Sequence, residues 1–153
     1  MSQTPPELLR LSAEDADDLR LISAQLQDAI SPRGDLTWLP RRRCFVGVFN
    51  RFMWNGELGR DGAHWRCQSA LEIHAVRAVR RQDLPDADPR AALSLLALDC
   101  SATGADAEDP AARITLHFAP AGAIRLDVEC IEAYLRDYGT PWRARGRPAH
   151  PLD

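Results

Sequence analysis

RITLHFAPAGAIRLDVECIEAYLRDYGTP, residues 113–141, changes its apolar period partway along, and the fold turns on how that change is read. Ile114, Leu116 and Phe118 alternate, as do Ile124, Leu126 and Val128. Strict alternation puts successive side chains on opposite faces of a strand, so each triplet marks a half-buried strand. Pairing apolar with apolar sets Phe118 opposite Ile124, Leu116 opposite Leu126 and Ile114 opposite Val128. That register leaves Pro120-Ala121-Gly122 as a three-residue loop, with Pro presetting the first turn position and Gly122 taking the left-handed one. It also sets Arg113 opposite Glu129 and His117 opposite Arg125 on the outer face.

Beyond the hairpin, Val128, Ile131, Leu135 and Tyr138 fall at helical spacing. This predicts a C-terminal helix that continues the same apolar face, carries a Glu132–Arg136 pair and ends at Gly139-Thr140-Pro141. Six buried hairpin side chains at about 1.5–3 kcal/mol each leave no room for a polar catalytic cluster on the inner face. The stretch is read as fold-building.

The rest of the chain is consistent with one soluble domain. In 153 residues, 45% are hydrophobic and 27% charged, and no apolar run approaches the roughly 20 residues of a membrane helix. The N-terminus lacks the pattern of a secretory signal, which makes the cytoplasm the expected location. Residues 1–141 are expected to form a single globular domain and 142–153 a loose basic tail. Cys44, Cys67, Cys100 and Cys130 are scattered without a CxxC and read as buried free thiols. Every basic residue is arginine, a bias that GC-rich bacterial coding explains more simply than selection for phosphate contacts.

Upstream, Ser12 and Asp15 resemble a capping box. The acids at 14, 15, 17 and 18 suit the positive end of a helix, and Leu19, Ile22, Leu26 and Ala29 form its apolar stripe. Leu36–Leu39 and Cys44–Trp54 read as strands around a Pro40–Arg43 turn. Residues 55–64 read as a glycine-rich loop, and 65–81 as strand with a bulge or bend near Ala75. Residues 92–102, ALSLLALDCSA, are apolar on both faces and read as a covered central strand.

Charge is uneven. Residues 41–81 carry a net +6, residues 82–112 a net −6 and residues 1–40 a net −4. Three arginine groups, Arg41, Arg42 and Arg43, then Arg77, Arg80 and Arg81, then Arg143, Arg145 and Arg147, are the candidate anion- or partner-binding residues. Trp38, Phe52, Trp54, Trp65 and Trp142 are available to interleave with them. The overall net charge of −3 argues against a dedicated nucleic-acid binder, so nucleic acid stays a secondary partner. An alternative ligand face groups His117, Asp127 and Glu129 on the hairpin. None of the four histidines has metal-ligand spacing, and neither GxSxG nor GxxxxGK[ST] occurs, so no metal centre or cofactor is expected.

Four segments, DLRLISAQLQDAI (18–30), LSLLAL (93–98), ITLHFAPAGAIRLDVECIEAYLRD (114–137) and PWRARGRPAH (141–150), resemble together a family of short alphaproteobacterial proteins described as a domain of unknown function. The resemblance spans almost the whole chain and implies a bacterial cytoplasmic protein, with no site residue to transfer. The expected fold is α+β: about six mainly antiparallel strands in a sheet or partly closed barrel, an N-terminal helix and a docked C-terminal helix, with a pleckstrin-homology-like arrangement as one form. The expected function is a non-enzymatic binding or adaptor module for a protein partner or a second copy. The alternative is a small enzyme or small-ligand-binding protein with a pocket between sheet and helix.

Overall fold

A computed structural model describes residues 4–54, 64–84 and 88–146. The elements are β1 (Arg10–Ala13), α1 (Ala16–Gln25), β2 (Ile30–Pro32), β3 (Leu36–Leu39), β4 (Cys44–Phe52), β5 (Trp65–Ile73), β6 (Val76–Gln82), β7 (Ala92–Ala102), β8 (Ala112–Ala119), β9 (Ala123–Val128) and β10 (Ala133–Arg143). All strand pairs are antiparallel, and the ten strands form one sheet that does not close, in the order β1-β10-β5-β4-β2-β7-β8-β9-β6, with β3 also on β4. The architecture is therefore richer in strand than the α+β expectation of about six strands. Most of the loop expected at 55–64 lies outside the described residues.

Two long bent strands organise the sheet. β5 and β6 are consecutive, separated by His74 and Ala75, and Ala75 takes a positive φ of 55°. This is the bend expected near Ala75. β9 and β10 are likewise separated only by residues 129–132. β5 pairs with β10 and β6 with β9, and the two bends are tied by His74 N to Glu132 O and Glu129 N to Ala75 O, both 2.9 Å. The result is one bent ribbon.

The predicted C-terminal helix is thus a strand, and the pleckstrin-homology-like form loses the closing helix that motivated it. Along β10, Ala133, Leu135 and Asp137 face inward and are buried, while Tyr134, Arg136 and Tyr138 face out. A charged residue at an inward position hides the two-residue period, and the survivors Ile131, Leu135 and Tyr138 imitate a helical stripe. The Glu132–Arg136 pair is absent; Glu132 instead accepts a hydrogen bond from the Tyr134 hydroxyl at 3.0 Å.

The hairpin exists, but its register differs by two residues from the expected one. Leu116 lies opposite Ile124, Ile114 opposite Leu126 and Ala112 opposite Val128, while Phe118 pairs with Leu95 of β7. A shift of two keeps the same side chains inward, so apolar matching cannot distinguish the registers; turn geometry does. The peptide Ala119–Pro120 is cis, and Phe118 N donates to Gly122 O at 2.9 Å. Gly122 has φ +104°, and a Cβ there would meet the Leu84 backbone at 2.9 Å. On the outer face Arg113 consequently pairs with Asp127 rather than Glu129, and His117 lies opposite Ala123 rather than Arg125.

α1 begins three residues later than the capping-box reading put it. Asp15, not Ser12, is the N-cap, accepting from Asp18 N at 2.8 Å, while Ser12 lies in β1. α1 also ends earlier than expected, at Gln25: Leu19 and Ile22 keep the stripe, Leu26 is the C-cap and Ala29 follows Asp28 at φ 62°, yet all four are buried in the core cluster with Phe45, Phe49, Leu71, Ile73 and the hairpin side chains. β7 is central but covered on one face only. A bulge between Leu95 and Ala97 shifts its phase, so Leu93, Leu95 and Leu98 face the core and Leu96 is exposed. Among the described residues, no helix is long and apolar enough to cross a membrane.

Candidate functional site

The most polar part of the interior is built by three strands and the segment before β1. In β4 the alternation Phe45, Gly47, Phe49 carries on to Arg51, which therefore points inward and is fully buried. Asp137 of β10 and Ser69 of β5 lie opposite each other and also face inward. Arg51 grips Asp137 with both prongs, Nε to Oδ1 at 2.8 Å and Nη2 to Oδ2 at 2.6 Å. The remaining bonds saturate the pair. The Ser69 hydroxyl donates to Asp137 Oδ1, Leu9 N donates to Oδ2 at 2.8 Å, and Arg51 Nη1 reaches Phe52 O at 3.1 Å and Gln25 Oε1 at 3.4 Å. Burial opposes ionisation of Asp137. The hydrogen bonds from Arg51, Ser69 and the Leu9 amide, with the Arg51 charge, outweigh it and hold the carboxyl below the usual range. Cys67 lies alongside, with Sγ 3.9 Å from Ser69 Oγ, and burial pushes its thiol up to about 11. These groups are enclosed and fully bonded, so they clamp β4, β5, β10 and the residue before β1 rather than meet a ligand. Sequence reading passed over both ions; Arg51 at the inward phase of FVGVFNRF was the available signal.

The predicted arginines divide. Arg41, Arg42 and Arg43 are exposed at the short 3-10 turn before β4, where Arg43 adopts φ 50°. Arg77 is brought beside them because Val76 N bonds Arg43 O. Glu129 sits between the two groups, bonded to Arg43 and 3.7 Å from Arg77, and its carboxyl is lowered mainly by the Arg43 hydrogen bond. Arg80 faces out from β6 opposite Arg125, and Arg81 turns to Leu36 O at 3.4 Å. Arg143 is at the far end of β10, its guanidinium 5.9 Å over the Trp65 ring, with exposed Arg145 two residues on. Ten strand residues, roughly 33 Å, separate Arg143 from the bend. Arg147 lies outside the described residues.

The alternative ligand face is also divided. His117 bonds Asp99 of β7 at 2.7 Å, Asp127 bonds Arg113 at 3.0 Å, and Glu129 is on the arginine side. A 210 Å³ cleft between α1 and β7 is lined by Ala16, Leu19, Arg20, Leu98, Asp99 and Cys100. Cys44 and Cys67 are buried as expected, whereas Cys100 and Cys130 are half-buried. Among the described residues, no group of three or more His, Cys, Asp or Glu could hold a metal ion.

A different surface gathers more recognition chemistry. On the outer face of β1, β10 and β5, Arg10 lies directly opposite Arg136, Ser12 opposite Tyr134, and Tyr134 opposite Glu72. Like charges set opposite each other destabilise a sheet. Among the described residues neither arginine has an ion-pair partner, and Ala70, opposite Arg136, leaves space beneath the guanidinium. The outcome is a hollow of about 400 Å³ lined by Arg10, Ser12, Ala70, Glu72, Tyr134 and Arg136. Tyr134 is fixed at its edge, by the bond to Glu132 and by the His74 ring at 5.4 Å and 80°. Sequence reading does not place Arg10, Arg136 or Tyr134 among the site residues, because a helix over 128–138 makes Arg136 a partner of Glu132 and the pairing of β1 with β10 leaves no local pattern.

A family model described as "Protein of unknown function (DUF2948)" matches residues 9–150. No curated protein and no solved structure matches the chain.

Proposed function

The chain belongs to this family, DUF2948, and on that premise we propose that it is a non-enzymatic binding module whose outer β1–β10–β5 face takes an anionic group. The observation that carries the reading is the pair of opposed arginines, Arg10 and Arg136, over the hollow made by Ala70. An anion placed between two guanidinium groups removes their mutual repulsion and gains charge-assisted hydrogen bonds with bidentate geometry. Ser12 supplies a hydroxyl beside them. Four free cysteines suit a reducing compartment, in keeping with a cytoplasmic setting.

Pyrophosphate titration followed by thermal unfolding tests the reading, since a ligand bound only by the folded state raises the midpoint. The midpoint is expected to rise with pyrophosphate in the native chain and not in Arg10→Gln/Arg136→Gln. An equal response in the two proteins would refute the assignment.

The second reading is a small ligand in the cleft between α1 and β7, favoured by the His117–Asp99 pair at its rim. The arginine groups at 41–43 and 77 are the corresponding proposal for an acidic protein partner, with Glu129 already between them.

A further inference from the structure

The stripe that contains Arg136 continues past the hollow. A bulge in β10 between Tyr138 and Trp142, opened by Gly139 at φ 75°, places Tyr138 opposite Gln68 and Trp142 opposite Arg66. The outward row therefore reads Tyr134, Arg136, Tyr138, Trp142, against Glu72, Ala70, Gln68 and Arg66 on β5. Each step is two residues of β5, roughly 7 Å, and the row is about 20 Å long. Tyr134, Tyr138 and Trp142 are 40%, 39% and 37% exposed, and they are the large aromatic side chains among the exposed hydrophobic residues described. All of them lie on this line.

Resting on the anion-binding reading, we infer that the β1–β10–β5 face binds single-stranded nucleic acid, with bases stacked on Tyr138 and Trp142 and phosphates held by Arg10 and Arg136. Exposed aromatic rings on a sheet face beside arginines provide π-faces for unpaired bases and charge for the backbone that joins them. Tyr138 and Trp142 are neighbours in the row, one step of roughly 7 Å apart, so the bases on them are held apart rather than stacked on each other. Glu72 and Glu132 bound the Tyr134 end with negative charge, so the strand runs from the Arg10–Arg136 pair toward Trp142. Arg66, opposite Trp142, is turned away from β10, its Nη1 donating to Asn50 O at 3.2 Å and Asn50 Oδ1 at 2.9 Å on β4, so the phosphate contacts fall to the Arg10–Arg136 pair. The net −3 of the chain is compatible with this, because the binding charge is local and screened beyond about 10 Å at ordinary salt.

The test is fluorescence anisotropy of a labelled single-stranded oligonucleotide about 10 nucleotides long, titrated with the full chain at several salt concentrations. Binding that weakens with salt is expected, with Tyr138→Ala and Trp142→Ala each reducing affinity roughly 5- to 100-fold. Arg136→Gln should flatten the slope of log affinity against log salt by about 0.7. Circular dichroism confirms that each variant is folded. A duplex of the same sequence should bind more weakly, because its bases cannot reach the rings. Equal affinity for duplex and single strand, or unchanged binding by the aromatic variants, would overturn the inference. If the oligonucleotide does not bind while pyrophosphate still raises the midpoint through Arg10 and Arg136, the nucleic-acid inference fails and the anion-binding reading stands. If neither binds, both fail.

Discussion

Asp137 is the residue on which most of the fold converges, since its carboxylate joins Arg51 of β4, Ser69 of β5 and the Leu9 amide before β1. Removing one partner leaves the other charged and enclosed, which costs far more than the net worth of the pair. Arg51→Met is expected to destabilise the chain by about 3–5 kcal/mol in urea unfolding, and Arg51→Met/Asp137→Leu by clearly less. The same carboxylate sets an acid limb. Its folded pKa lies below its unfolded value, so its contribution is present above the ordinary aspartate range and is lost as pH falls through the lowered folded value. Unfolding free energy should therefore fall as the pH drops below the ordinary aspartate range, and a folded Asp137→Asn chain should show a shallower acid limb. Cys67, buried beside this cluster with its thiol pushed up, should resist alkylation in the native protein, whereas the half-buried Cys100 and Cys130 should react before it.

At the scale of elements, the bent ribbon depends on backbone conformations that side chains disfavour. Ala75 at φ 55° closes the β5–β6 bend while its carbonyl accepts from Glu129 N. A left-handed L-residue costs about 1–2 kcal/mol, which glycine avoids at some entropic expense. Ala75→Gly is expected to be neutral or stabilising by up to about 1 kcal/mol, and Ala75→Val destabilising, both measured by urea midpoint. Gly122 is the opposite case: Gly122→Ala combines an unfavourable φ with a clash against the Leu84 backbone, so a lowered midpoint is expected. The bend at Ala75 was legible in sequence because the apolar phase slips there. The β10 strand was not, because Asp137 interrupts its alternation and Gly139 looks like a helix stop. A charge at an inward position has no apolar signature; it is identified only by the partner that neutralises it.

For the whole molecule, the topology brings the two ends of the described chain together. β1 pairs with β10, and the Leu9–Asp137 contacts lie beside that pairing. Such non-local pairing must close long loops before its contacts form, so refolding by stopped flow is expected in the millisecond-to-second range of β-rich folds. Deleting residues 1–13 should lower the unfolding midpoint by more than the loss of a four-residue strand explains, since it strips the Leu9 donor from the buried Asp137 carboxylate.

Sequence by itself determined the inward side chains of the hairpin, the apolar stripe of α1, the β3–turn–β4 unit and the break at Ala75. Each of these is a local pattern whose period follows directly from backbone geometry. Tertiary structure alone decided the hairpin register, the identity of β10 as a strand and the Arg51–Asp137 clamp. It also decided the assembly of Arg10, Arg136 and three aromatic rings on one face. These depend on contacts between residues more than 60 positions apart, or on a choice between registers that bury the same side chains, and neither leaves a periodic trace in the chain.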